Sequence, residues 1–103
     1  MNSSSKDIVS FQSSSKKRTI RLKMFDYFLN VPHGTPLIDQ LEEVAFIMGR
    51  SLVTKVARSK FYFIVQYKIG SRSISIFGQN KMSCIDQCEL EMVYMLQKLC
   101  KFV

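Results

Sequence analysis

The residues of this chain best suited to chemistry are basic, and the chemistry they suit is the binding of anions. The 103 residues include 15 Lys and Arg against 8 Asp and Glu, a formal net charge of +7. Such an excess directs a protein toward nucleic acids or acidic surfaces without specifying which. Residues 1–35 carry +4 of this charge, including the run Lys16-Lys17-Arg18, and residues 36–103 carry +3.

Three cysteines and one histidine are the candidate metal ligands. Cys84 and Cys88 lie four residues apart, so they share one face of a predicted helix, and Cys100 follows. A metal site there would need His33 as a further ligand, and the sequence has no CxxC pair. We interpret all three cysteines as free thiols, with Cys84 and Cys88 between a helix and a sheet, and we expect no metal and no other cofactor.

A set of catalytic residues is not visible in the sequence. The chain has no Gly-rich phosphate-binding loop, and its single histidine has no Ser-Asp or Cys partner at a plausible spacing. Glu42 and Glu43 are adjacent, so they point to different faces of a helix rather than forming an acid–base pair. We therefore expect that the protein is not an enzyme.

The first 34 residues divide into two predicted segments. Residues 1–18 are rich in Ser and are predicted to be a disordered leader. Its basic cluster suits a nuclear-import signal, an arm that contacts phosphate or a solvated tail, and its composition leaves a mitochondrial presequence open. Residues 19–31 are too apolar for a linker and predict a short helix that pads the core or docks a partner.

The sequence also predicts where the protein is found. It contains no apolar signal segment and no apolar run long enough to cross a membrane. We expect an intracellular protein, in the nucleus or cytoplasm, with no membrane partner.

Residues 35–103 predict one α+β domain with the element order α-β-β-β-α. Thr35 as N-cap and Pro36 as first helical residue open a helix that Gly49 ends. Three strands follow, predicted at Ser51–Arg58, Lys60–Ile69 and Arg72–Phe77. Alternation in the second strand turns five residues inward, namely Phe61, Phe63, Val65, Tyr67 and Ile69. The closing helix, from about Met82 to Lys101, has an apolar stripe of Cys84, Cys88, Met92, Leu96 and Leu99.

Residues 35–99 resemble a double-stranded RNA-binding domain (dsRBD). The resemblance rests on the Pro36-Leu37 helix opening, on Gly49 and on the Phe-x-Phe-x-Val pattern of residues 61–65. It implies a three-stranded antiparallel sheet with two helices on one face, to which this chain adds a short N-terminal helix. It also implies a Lys-Lys-x-x-Lys phosphate clamp at the start of the last helix and a Gly-Pro-x-His loop between the first two strands.

Both of these RNA-contacting motifs are altered here. Of the three clamp positions only Lys81 keeps a lysine, whereas Met82 and Ile85 replace the other two. Residues 57–60 are predicted to join the first two strands and leave no room for the Gly-Pro-x-His loop. Acidic residues that repel phosphate follow the clamp, at Asp86, Glu89 and Glu91. The chain thus resembles a degenerate dsRBD that lacks most of the RNA-binding motif.

We therefore predict a protein–protein interaction module, a dimerisation or adaptor domain of the kind this family uses in RNA silencing and RNA processing complexes. The partner is a second copy or another protein of an RNA pathway, and pairing along the third strand is one route. Exposed apolar groups mark such contacts. The predicted partner-binding residues are Tyr62, Ile64, Ser73, Ser75, Phe77, Met82 and Ile85.

Two other interpretations stay open. One is direct binding of double-stranded RNA by a divergent dsRBD, because phosphate contacts tolerate varied geometry. Its predicted RNA-binding residues are Lys16, Lys17, Arg18, Lys55, Arg58, Lys60 and Lys81. The other is a structural subunit of a larger ribonucleoprotein. If residues 19–31 fold back over the apolar outer face of the sheet, that face needs no partner.

Overall fold

The computed structural model describes the backbone of residues 2–101 and the side chains of residues 16–101. Its elements are α1 (Asn2–Asn30), α2 (Leu37–Ile47), β1 (Leu52–Arg58), β2 (Phe63–Ile69), β3 (Arg72–Gly78) and α3 (Lys81–Lys101). From α2 onward the order is α-β-β-β-α, and the three strands form one antiparallel sheet with β2 in the centre. The predicted α+β fold class is confirmed; residues 102 and 103 of the predicted domain lie outside the described part.

The helix α1 runs across the boundary that the sequence predicted at residue 18. We expected a disordered leader over residues 1–18 and a short helix over 19–31, whereas α1 extends from Asn2 to Asn30. The sequence has no Gly or Pro before Pro32, so no residue in this span breaks the helical backbone.

The C-terminal half of α1 packs on the helical side of the module. It contacts α2 and α3, and Met24 is fully buried there. Ile20 and Phe28 are half-buried against the same core. Residues 19–31 therefore pad the core, and they do not fold over the outer face of the sheet.

The ends of α2 are set by Pro36 and Gly49. Thr35 was predicted as the N-cap, but Pro36 takes this position and no side chain caps the helix. The Thr35 hydroxyl instead donates to the Pro32 carbonyl at 2.8 Å, within the turn that precedes α2. At the other end Gly49 has a φ of 69°, and the N–H groups of Gly49 and Arg50 donate to carbonyls of the last turn. This confirms Gly49 as the helix stop.

The core lies between β2 and α3. Val65, Tyr67 and Ile69 of β2 are buried, so the alternate residues of this strand point away from the helices. The apolar stripe predicted for the closing helix is confirmed. Its buried members are Cys84, Cys88, Met92 and Leu96, and Leu99 is half-buried.

The strand β2 starts three residues later than predicted. Lys60 was its expected start and Phe61 was expected to face inward, but β2 begins at Phe63 and Phe61 is 75% exposed. The Ser59 N–H donates to the Tyr62 carbonyl at 2.8 Å. This tight turn takes the residues between them out of the strand. The connection is as short as predicted, although it comprises residues 59–62.

The sheet and α3 approach each other closely at Gly78. A Cβ atom at this position would lie 2.7 Å from the Cys84 Sγ atom. We expect Gly78→Ala to lower the free energy of unfolding by about 1–3 kcal/mol, measured by urea denaturation, because the added methyl overpacks the contact. In a Cys84→Ala background, which lacks the sulfur, Gly78→Ala should lower the free energy of unfolding by at least about 1 kcal/mol less than it does in wild type. Equal costs in both backgrounds would contradict this account.

Candidate functional site

The start of α3 is fixed by a cap that the sequence analysis did not assign. Asn80 Oδ1 accepts a hydrogen bond from the Ser83 N–H at 3.0 Å, the usual N-cap arrangement. Lys81 and Met82 therefore lie in the first turn, and both are exposed. Ile85 is half-buried and packs against the hydrophobic core. Of the two apolar clamp replacements, only Met82 offers most of its side chain to a partner.

A hydrogen bond between β2 and α3 orients the helix on the sheet. The Tyr67 hydroxyl donates to Glu89 Oε2 at 2.8 Å. Burial of the phenol, and then its bond to Glu89, raise the pKa of Tyr67 well above its ordinary value. Glu89, expected to repel phosphate, is thus also a structural acceptor.

This hydrogen bond predicts how stability depends on pH. Below about pH 10 tyrosine is protonated in both states, and above it the unfolded chain ionises first, so the contribution of Tyr67 is lost as pH rises. We expect Tyr67→Phe to lower the free energy of unfolding by about 1 kcal/mol at neutral pH and to reduce its fall in alkali. Urea denaturation at neutral and alkaline pH measures both, with Tyr62→Phe, at an exposed tyrosine of the β1–β2 turn, as control. Identical alkaline losses in wild type and Tyr67→Phe would refute this.

All three cysteines are buried, as interpreted from the sequence for Cys84 and Cys88. Cys84, Cys88 and Cys100 are free thiols, and the Cys88 thiol donates to the Ile74 carbonyl at 3.4 Å. Burial raises the pKa of both Cys88 and Cys100, which keeps these thiols protonated. His33 is exposed in the turn before α2. Among the residues with described side chains, no group of three His, Cys, Asp or Glu could hold a metal ion.

Five of the seven predicted partner-binding residues come together on the sheet. We define the outer sheet face as the alternate strand residues that point away from the helices. The strand register aligns them in three rows across the sheet, Ala57-Ile64-Phe77, Lys55-Gln66-Ser75 and Val53-Lys68-Ser73. The Tyr62 ring lies 6.2 Å from the Phe77 ring, at the end of this face. Met82 and Ile85 belong to α3 instead.

The predicted RNA-binding residues lie on three separate elements. Lys55 is on the outer sheet face, and Arg58 and Lys60 are next to or within the β1–β2 turn. Lys81 begins α3. The run of residues 16–18 is exposed on α1, the helix that packs against α2 and α3.

An open groove beside β3 was missed by the sequence analysis. It has a volume of about 500 Å³ and lies between β3 and the C-terminal half of α3. Its lining residues combine apolar side chains with charges of both signs, and they are Arg72, Ile74, Glu91, Tyr94, Met95, Lys98 and Leu99. The α3 members recur at spacings of three and four residues beside the buried stripe, a signal that could have revealed this second face of the helix.

The two edges of the sheet differ in how they resist pairing. β1 carries Lys55 and Arg58, and charged side chains protect an edge strand from unwanted partners. In β3 the residues from Ser73 to Gly78 include no charged side chain and no proline. Among the described residues β3 is paired on one side only, with β2. It is the edge better suited to accept another strand.

Charge is divided unequally between the sheet and the helices. The sequence has no Asp or Glu between Glu43 and Asp86, and this span contains seven Lys and Arg. The rest of the chain has eight basic and eight acidic residues. Six of these seven lie in the sheet and its flanking turns, and the seventh, Lys81, begins α3, so the sheet and its turns carry +6 of the net charge of +7. The division at residue 36 does not separate the sheet from the helices, because residues 36–103 include the acidic residues of α2 and α3 as well as the basic sheet.

Comparison with protein-family models, curated proteins and solved structures finds no match for this chain. None of the described helices is both long and apolar enough to cross a membrane. The resemblance to a dsRBD is carried by the sequence motifs and the order of the elements.

Proposed function

We propose that this chain is a dsRBD-like protein-interaction module that dimerises through β3 and acts as an adaptor in an RNA silencing or RNA processing complex. The observation that carries the proposal is the edge of β3 that pairs with no other described strand, beside an open, largely apolar groove. A strand added to β3 gains main-chain hydrogen bonds, and the groove receives side chains of the partner. The RNA pathway follows from the family resemblance.

A second copy of the chain is the partner that best fits this surface. A two-fold interface must be complementary to itself. The groove offers Arg72 and Lys98 as well as Glu91, so opposite charges can face each other across the axis. Ile74 and Tyr94 provide apolar area between them. Pairing of two β3 strands makes a continuous sheet whose remaining edges are the charged β1 strands.

Direct binding of duplex RNA is the alternative, and the basic charge of the sheet supports it. The geometry of the clamp favours it less. Met82 exposes a thioether where the family has a lysine, and Ile85 packs into the core.

The dimer is tested by light scattering coupled to gel filtration. The monomer mass is 11.9 kDa, and we expect wild type to elute with twice this mass. Tyr94→Arg should be a monomer, because it puts a long cation into the groove. Phe46→Arg makes the same change at an exposed aromatic residue on α2 and should stay a dimer.

A wild-type protein that is monomeric at every concentration would refute the dimer. So would the finding that Tyr94→Arg and Phe46→Arg dissociate the dimer to the same extent. Titration with an RNA duplex of about 16 base pairs separates the alternative. Tight, salt-sensitive binding of the duplex by a monomer would establish the divergent-binder function instead.

A further inference from the structure

The outer sheet face has exposed aromatic rings at one end. Phe77 is 63% exposed and Tyr62 is 41% exposed, and their rings meet edge to face at an interplanar angle of 70°. Phe61 projects from the adjacent turn and is 75% exposed. The helices pack on the opposite face, so no described element covers the rings of Tyr62 and Phe77. Large aromatic side chains left in water at this density mark a binding surface.

The same face is basic and free of acidic residues. Lys55 and Lys68 stand in its second and third rows. Lys60 lies in the neighbouring turn, with its Nζ atom 5.7 Å from the centre of the Phe61 ring. Since no Asp or Glu occurs between Glu43 and Asp86, none of the strands or their turns supplies a competing carboxylate. An anionic partner is therefore attracted to this face.

We propose that the outer sheet face binds a single-stranded nucleic acid. Unpaired bases stack on the rings of Tyr62 and Phe77, and the strand's phosphates lie along Lys55 and Lys68. Aromatic platforms beside basic side chains bind single strands in this way, with little dependence on sequence. This inference goes beyond the proposed dimer, because it uses a different face from the β3 groove.

The polar middle of the face also suits a nucleic acid strand. Gln66 lies between Lys55 and Ser75 in the central row, and Ser73 is next to Lys68 in the third. Amide and hydroxyl groups can donate to and accept from base edges. A face that enters a lipid surface would instead be apolar at its centre, where this one has a lysine and a glutamine.

Other occupants fit the face less well. A second copy would oppose one acid-free, basic sheet to another, and like charges repel. A duplex offers phosphates to the lysines, but its bases are stacked inside and leave the rings without partners. A single-stranded nucleic acid fits both features, because its unpaired bases can stack on the rings and its phosphates can contact the lysines.

Fluorescence anisotropy with a labelled oligo(U) RNA of about 12 nucleotides tests the inference, since this length falls within the size of single-strand sites. We expect wild type to bind it more tightly than an RNA duplex of similar charge. Phe77→Ala should weaken oligo(U) binding about 10-fold and leave duplex binding unchanged. Phe46→Ala, which removes another exposed ring, on α2, is the matched control and should bind like wild type.

The basic residues have a separate readout. Changing both Lys55 and Lys68 to Gln should lower the slope of log affinity against log salt by about 1.4, since each phosphate contact to a single strand contributes about 0.7. The Lys55 and Lys68 side chains are both exposed, so the change should not disturb folding. Circular dichroism checks that each variant is folded. Light scattering on the same samples shows whether the β3 dimer is intact, so failure of one proposal is distinguished from failure of the other.

Three results would overturn the inference. The first is the absence of salt-sensitive oligo(U) binding by folded wild type. The second is equal weakening by Phe77→Ala and Phe46→Ala. The third is a preference for the duplex, or for vesicles containing anionic lipid, over oligo(U).

Discussion

The tight seating of α3 on β2 and β3 is the constraint on which the rest of the structure depends. Only a glycine at 78 lets the Cys84 sulfur approach the sheet so closely. One turn further along α3, the small side chain of Cys88 is also fully buried. The helix consequently covers the central strand and one side of β3. Three surfaces are consequently left uncovered by the described elements: the outer sheet face, the β3 edge with its groove, and most of β1. Close packing of one helix thus decides which surfaces are available to partners.

Charge and packing divide the module in the same way. The helices contain all eight acidic residues together with nine basic ones, whereas the sheet and its turns hold six basic residues and no acidic one. A protein partner that brings apolar groups and both signs of charge matches the groove beside α3. An anionic strand matches the opposite face of the sheet. The two proposals are therefore compatible in one molecule, because they draw on different chemistry at different places.

The element order and the buried stripe of α3 were predictable because periodicity and glycine stops are local signals. The turn at Ser59–Tyr62 was not, since Phe61 continues the alternation of β2 and only a backbone hydrogen bond removes it from the strand. The role of Ile85 also depended on tertiary packing. A small rotation of α3 about its axis decides whether this residue faces a partner or packs against the core, as it does here. At the candidate site, the sequence placed Ile64 and Phe77 on one face correctly but gave no distance between β3 and α3, and so missed the groove.

The strand β1 has a consequence for the dynamics of the fold. Apart from its half-buried first residue, Leu52, every residue of this strand is exposed, including Thr54 and Val56 on the side that faces the helices. β1 is therefore held mainly by its backbone hydrogen bonds to β2, and it buries little apolar area that would stabilise it. Segments of this kind open at a lower free energy than the global unfolding of a domain. Amide hydrogens of β1 are expected to exchange with solvent ahead of those of β2, so the sheet opens from one edge.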